Sequence, residues 1–230
     1  MTPLNAVLDN LDQFFKAFGY TLFLFLVCAV ASMALGALLV AMRVGPIGVL
    51  RKVAAVYVSL VRNTPLVLIF IFFHFAAPII GINFKWVQIY VGSFDFTSAF
   101  ATAFIALSLY TSCFVCEALR SGVNAVSIGQ AEAARAIGLP FSGVMTQVVL
   151  PQALRASVPP LASALIAMLK NTSVAGIFFL AEATATMRGL SNDFSSQRLG
   201  IFLCFAIGYI VLVEIVSMIS LSFERRWRIA

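Results

Sequence analysis

Gly129-Gln130-Ala131-Glu132-Ala133-Ala134-Arg135-Ala136-Ile137-Gly138, followed at a short distance by Val148-Val149-Leu150-Pro151, is the stretch that decides how the rest of the chain reads. Ala131, Ala133, Ala134 and Ala136 favour a helix over 129–137, and Gly138 sits where a C-terminal cap belongs. The alanine-rich surface lets another backbone approach closely. Glu132 and Arg135, three apart, share a helix face and can pair with each other or across an interface. Leu150-Pro151 begins a return to apolar sequence. The whole segment 120–160 is polar, charged and punctuated by Gly and Pro, between long apolar runs. It reads as a loop on the wet side of a membrane bundle, and composition alone also fits a surface helix with no partner.

The flanking runs are long enough to define that bundle. The 230 residues are 62% hydrophobic and 10% charged, with mean hydropathy +1.03. Soluble chains carry about 25% charged and about 45–50% apolar residues, so a soluble domain is excluded. About 20 helical residues cross a hydrocarbon core of about 30 Å. On that measure the sequence predicts one all-α membrane domain over 1–230, with spans at about 18–42, 54–80, 96–119, 161–180 and 199–221. Pro65 and Pro78 fall in the second span, where each removes a backbone donor and can kink or break it. Phe84, Trp86 and Tyr90 suggest that the segment 81–95 lies in the interface. Leu4, Val7, Leu8, Leu11, Phe14, Phe15 and Phe18 recur at helical spacing, which suits an interfacial helix before the first span; the alternative is a disordered tail.

Fifteen Lys and Arg exceed nine Asp and Glu, and their placement is asymmetric. Arg43, Arg51, Lys52, Arg120, Arg135, Arg155, Arg225, Arg226 and Arg228 fall on one side of the five-span scheme. Lys16, Lys85, Arg188 and Arg198 fall on the other, offset by Asp9, Asp12, Asp95 and Asp193. The positive-inside bias therefore predicts an N-out, C-in topology with the 120–160 loop in the cytoplasm, and Trp227 suits an anchor at the inner surface. The basic excess is a topology signal, so no nucleic-acid partner is implied.

The order Glu132-Ala133-Ala134, three residues, Gly138, nine residues, Val148, one residue, Leu150-Pro151 resembles the cytoplasmic loop of ABC-importer permeases, with Val148 where the family usually has Ile. The resemblance implies a type I importer fold in which this loop carries a coupling helix docked on a separate ATPase. By that likeness Gln130, Glu132, Ala133, Ala134, Arg135, Gly138, Leu150 and Pro151 are the ATPase-coupling residues. Arg62-Asn63-Thr64-Pro65-Leu66, Tyr110-Thr111-Ser112, Glu117-Ala118-Leu119-Arg120-Ser121-Gly122 and Lys170-Asn171-Thr172-Ser173 look like permeases of polar amino-acid importers, nearest to the smaller permease of bacterial glutamate importers. Such systems pair two permeases, here implying a heterodimer, with an ATPase dimer that holds ATP and Mg and with an extracytoplasmic substrate-binding protein. The implied location is the bacterial cytoplasmic membrane, with no cofactor or metal on this chain.

Arg62 and Lys170 each lie about 15 Å into a predicted span and cost about 2.5–3.5 kcal/mol at the membrane centre, so neither should face lipid. Two readings stay open. Glu117 or Glu214 forms an interhelical pair with one of them, or they line a substrate path with Asn63, Thr64, Asn171, Thr172 and Ser173, and with Tyr110, Thr111, Ser112 and Glu117. His74, set among phenylalanines, reads as packing, with a proton relay as the alternative. Cys113 and Cys116 have redox or metal spacing, but on a membrane helix that spacing also places two small apolar residues on one face.

Other classes lack their signatures. There is no phosphate loop of the G-x-x-x-x-G-K-[ST] type, so ATP hydrolysis by that route requires another chain. No H-E-x-x-H motif or paired membrane aspartates support an intramembrane enzyme. A secondary transporter or channel without an ATPase remains the alternative, and neither an inverted repeat nor a pore-lining charge ring is visible for it.

Overall fold

Residues 5–91 and 94–227 are described by a computed structural model. Leu4 and Arg228, and the side chains of Asp95, Arg226 and Trp227, lie outside the described residues. Helix α1 covers Leu11–Val44, α2 Gly48–Asn63, and α3 Leu66–Ile79. Strands β1 (Ile89–Val91) and β2 (Phe94–Phe96) follow, then α4 (Ser98–Ala125), α5 (Ile128–Ala136), α6 (Phe141–Phe178), α7 (Ala183–Asp193) and α8 (Arg198–Trp227). Among the described residues, α1, α4, α6 and α8 are long and apolar enough to cross a membrane, and α2 with α3 forms a fifth candidate.

That fifth candidate is broken. Pro65 has no N–H to donate and forces Thr64 out of helical geometry, to φ −88° and ψ 129°. The axes of α2 and α3 consequently differ by 102°, so the expected span 54–80 is two helices. Pro78 is accommodated because it opens the short turn Ala77–Ile79, just after the π-helical stretch Phe72–Ala76, where a missing donor matters little.

The core follows from one stripe on α1. Ala17, Thr21, Leu24, Cys28, Ser32 and Gly36 recur every three or four residues, and all are buried. Leu24, Cys28 and Gly36 face α4, of whose apolar window 61% is buried against 17–33% in the other long helices, while Ala17 and Thr21 meet α7 and α8. Helix α4 is therefore the centre, with α1 and α6 on its flanks. Close crossings fix both contacts: a Cβ on Gly36 would stand 2.4 Å from Val115, and one on Gly122 would stand 2.0 Å from Ser157 Oγ. Leu24, Phe70, Leu107, Met168 and Leu169 fill the space between helices.

Three elements add to the sequence reading. Residues 11–18 are the opening turns of α1, because Phe14 meets Phe205 of α8 edge-on, Phe18 stacks on it and Val7 is buried beside them, so a separate helix before α1 covers only Asn5–Leu8. Within an otherwise helical fold, β1 and β2 at the end of the segment 81–95 pair antiparallel, with Ile89 opposite Phe96. Helix α6 starts at Phe141, well before the expected span at 161. Its stretch Val144–Val149 has π-helical bonding, which absorbs the donor that Pro151 lacks.

Candidate functional site

Helix α5 stands at the end of the bundle where α4 ends and α6 begins. Gly138 adopts φ +90°, its N–H donates to Arg135 O (2.9 Å), and Leu139 N–H reaches back to Ala134 O (3.2 Å). These two bonds form a Schellman cap, which needs the left-handed conformation that glycine adopts without a Cβ clash. Ala134 is the inward residue of α5, packed with Val144 and Val149 and flanked by Val123, Leu139 and Val148. The opposite face is bare: Ile128, Gln130, Glu132, Ala133, Arg135 and Ile137 are all exposed, Ile137 to 81%. Gln152 Nε2 donates to Gln130 Oε1 at 2.6 Å and to Val148 O at 3.0 Å, tying α5 to α6 one residue beyond Pro151. Leu150 and Pro151 are both exposed on the same return. Glu132 and Arg135 form no ion pair with each other, so both charges are available to a partner.

Above this helix, Arg43 in the last turn of α1 is ion-paired with Glu117 of α4, and Arg120 lies 3.9 Å from the other carboxylate oxygen. The interhelical pair is therefore not the one expected from Arg62 or Lys170, and neither of those has an ion-pair partner among the described residues. Register along α1 brings Arg43 to Glu117. Arg62, Asn63 and Thr64 end α2 at the bend, with Thr64 Oγ1 donating to Leu60 O (2.9 Å).

The second candidate feature is a groove of about 570 Å³ on the face shared by α6, α7 and α8. Lys170, Ser173, Thr184, Tyr209 and Glu214 supply its polar lining, and Met187, Phe202, Phe205, Ile210 and Val213 its apolar walls. Lys170 and Glu214 face the same space without pairing with each other. Thr172, by contrast, is buried and donates to Leu169 O (2.6 Å), and Asn171 ends the α-helical part of α6. Thr111 and Ser112 are buried in α4, Ser112 donating to Leu109 O (2.7 Å), and Tyr110 is half-buried beside Phe114. Arg62, Asn63, Thr64 and Tyr110 to Ser112 do not line this groove.

Sequence reasoning missed the carboxylate beneath it. Glu182 is fully buried and caps α7: its oxygens accept from Thr184 N (3.0 Å), Ala185 N (3.0 Å) and Tyr209 OH (2.7 Å). Ala183 N–H donates to Thr21 Oγ1 of α1 (3.2 Å), and Arg188 bonds Gly176 O. Three donors on one carboxylate meet the large cost of burying it. The visible signal was an acid followed by Ala-Thr-Ala at the start of a helix. His74 lies among Phe75, Phe178 and Phe179, and Cys113 and Cys116 pack with Val58 in a small apolar cluster.

Comparison with known proteins adds a lineage. The family described as binding-protein-dependent transport system inner membrane component matches residues 32–229. The glutamate transport system permease protein GluC of Corynebacterium efficiens is 39% identical over 85% of this chain and 86% of its own length. The probable glutamine ABC transporter permease protein GlnP of Bacillus subtilis is 33% identical over 95% of each. Among solved structures, an amino acid ABC transporter with histidines superposes with a TM-score of 0.84 at 24% identity, covering 97% of this chain and 98% of its own. An inward-facing MetNI methionine ABC transporter gives a TM-score of 0.73 at 18% identity, over 94% and 97%. These two likenesses concern the fold.

Proposed function

The chain belongs to the family of binding-protein-dependent transport system inner membrane components, as a multi-pass permease of amino-acid ABC transporters, and from that premise we propose that it carries glutamate or a related acidic or amide amino acid inward across a bacterial cytoplasmic membrane. The observation that supports the coupled mechanism best is α5, a glycine-capped helix anchored by Ala134 with its other face unoccupied. In this reading the exposed face of α5 docks on a separate ATPase that holds ATP and Mg. ATPase closure moves α5, and Gln152 with the Val144–Val149 cluster passes that movement to α6. The topology is N-out, C-in, with α2 and α3 together making one crossing. A second permease subunit, in a heterodimer, completes the pathway, and an extracytoplasmic binding protein delivers the substrate.

The groove gives that substrate a chemical fit. The α-carboxylate and α-ammonium that every amino acid brings are one charge of each sign, and each is costly in a low dielectric unless met by its opposite. Lys170 offers a cation for the carboxylate and Glu214 an anion for the ammonium, and Ser173, Thr184 and Tyr209 add hydroxyls to the same lining. Co-purification of an ATPase with this chain, and stimulation of its ATP hydrolysis by L-glutamate with the binding protein, tests the reading. A chain that transports alone in proteoliposomes overturns it in favour of a secondary transporter.

A further inference from the structure

At the end of the bundle opposite α5 there is a second, smaller pocket, of about 350 Å³, where three parts of the chain meet. The first turns of α1 supply Gln13, Lys16 and Tyr20; Thr97 comes from the residue before α4; Phe179 and Thr186 come from the turn into α7 and from α7 itself. Among the described residues no carboxylate lines it. Lys16 and the hydroxyls of Thr97 and Thr186 have no hydrogen-bond or ion-pair partner among the described residues, and Asp12, one turn before Lys16, does not pair with it. The guanidinium groups of Arg188 and Arg198 are already spent, on Gly176 O and Ser191 O. One cation and two hydroxyl donors thus converge on an unfilled space.

The position along the membrane is informative. Lys16 and Arg43 lie on one continuous helix, about 40 Å apart along its axis at about 1.5 Å per residue. A bilayer including its headgroups is about 40–45 Å thick, so if Arg43 sits in one headgroup layer Lys16 sits in the other. The mouth of the pocket carries Phe179, which is 77% exposed and the one non-glycine residue with positive φ (65°) among the described residues. Such a conformation costs about 1–2 kcal/mol and persists where surrounding structure holds it. It leaves an aromatic ring at the rim of a cationic pocket.

We propose that this pocket binds an oxyanion, with Lys16 as its charge partner and Thr97 and Thr186 as hydroxyl donors. The chemistry is shared by the phosphate of a phospholipid headgroup and the carboxylate of a substrate arriving at this end. The second source rests on the transport reading above; the first does not. The test uses the intact transporter complex with Lys16→Gln, with Thr186→Val as an independent variant and Lys16→Arg as the charge-retaining control. Native mass spectrometry counts phosphatidylglycerol retained after delipidation, and uptake of L-glutamate in phosphatidylcholine vesicles gives KM. Losing one charge-assisted hydrogen bond should weaken the bound group about tenfold. A tenfold drop in retained phosphatidylglycerol, restored by Lys16→Arg, supports the lipid source. A tenfold rise in KM with lipid retention unchanged supports the carboxylate source. If Lys16→Gln does not assemble, Thr186→Val decides by the same two readings. Both readings within twofold of the wild type overturn the proposal; a wild-type complex that takes up no L-glutamate removes the carboxylate source, and lipid retention within twofold then overturns it.

Discussion

Arg43, in the last turn of α1, is ion-paired with Glu117 of α4, 74 residues further along the chain. The pair sits where α4 runs into α5, with Arg43 13% and Glu117 30% exposed. It joins the first long helix to the element that leads directly into the exposed helix α5, so whatever moves α4 at this level also moves α1.

Removing one partner strands a half-buried charge. We expect Arg43→Gln and Glu117→Gln each to lower stability by about 1–3 kcal/mol. Arg120, 3.9 Å away and more exposed, compensates little. The reversed pair Arg43→Glu with Glu117→Arg should recover at least half of the loss. Thermal unfolding of the purified complex in detergent measures this, and equal losses in the single and reversed variants would dissolve the pair.

Glycines divide sharply by what surrounds them. At Gly122 a methyl group would meet Ser157 Oγ at 2.0 Å and Ala153 O at 2.2 Å, so Gly122→Ala must push α4 and α6 apart. The expected cost is about 1–3 kcal/mol or more. Gly189, inside α7, has nothing within 4 Å of the same methyl, so Gly189→Ala should stabilise by about 0.5–1 kcal/mol. Opposite signs in one thermal assay check both.

Much of this architecture is legible in residue order alone. The run from Gly129 to Gly138 specifies both a helix and its cap, because alanine propensity and the glycine stop are local properties. The break at Pro65 is local too. What depended on distant partners was not legible. Glu117 meets Arg43, and not Arg62 or Lys170, because pairing follows the register of packed helices. Residues 11–18 join α1 because Phe205 of α8 gives them a surface, a fact no local window contains. Likewise Lys170 and Glu214 face one groove only once α6 and α8 are side by side. Glu182 is held by Tyr209 and two backbone amides, and the tyrosine comes from a helix 27 residues away.

For the groove, we expect Lys170→Met and Glu214→Gln each to raise KM for L-glutamate uptake about 10- to 100-fold, the loss of one charge-assisted hydrogen bond. Assembly with the ATPase should be unchanged. Arg62→Met, at a residue that does not line the groove, should change KM far less. Loss of the complex from the membrane in Lys170→Met would make that lysine structural.

Gly138 carries its strain alone. Its φ of +90° disfavours any side chain, while the space around it is open. We expect Gly138→Ala to cost about 1–2 kcal/mol locally, fraying the cap and leaving membrane insertion intact. Substrate-stimulated ATP hydrolysis should fall several-fold while the amount of chain in the membrane stays at the wild-type level. Full stimulation in Gly138→Ala would show that the cap geometry does not matter to coupling.

The role of α5 is tested most directly by cysteine crosslinking along its length in the intact complex. Gln130→Cys, Ala133→Cys and Ile137→Cys lie on the exposed face, and Ala134→Cys points into the Val144–Val149 cluster. Crosslinks to an ATPase chain from the three exposed positions, and none from Ala134, are the expected result. No crosslink from any exposed position, or labelling of Ser142→Cys by an impermeant reagent outside intact cells, would contradict a docking helix on the ATP-consuming side of the membrane.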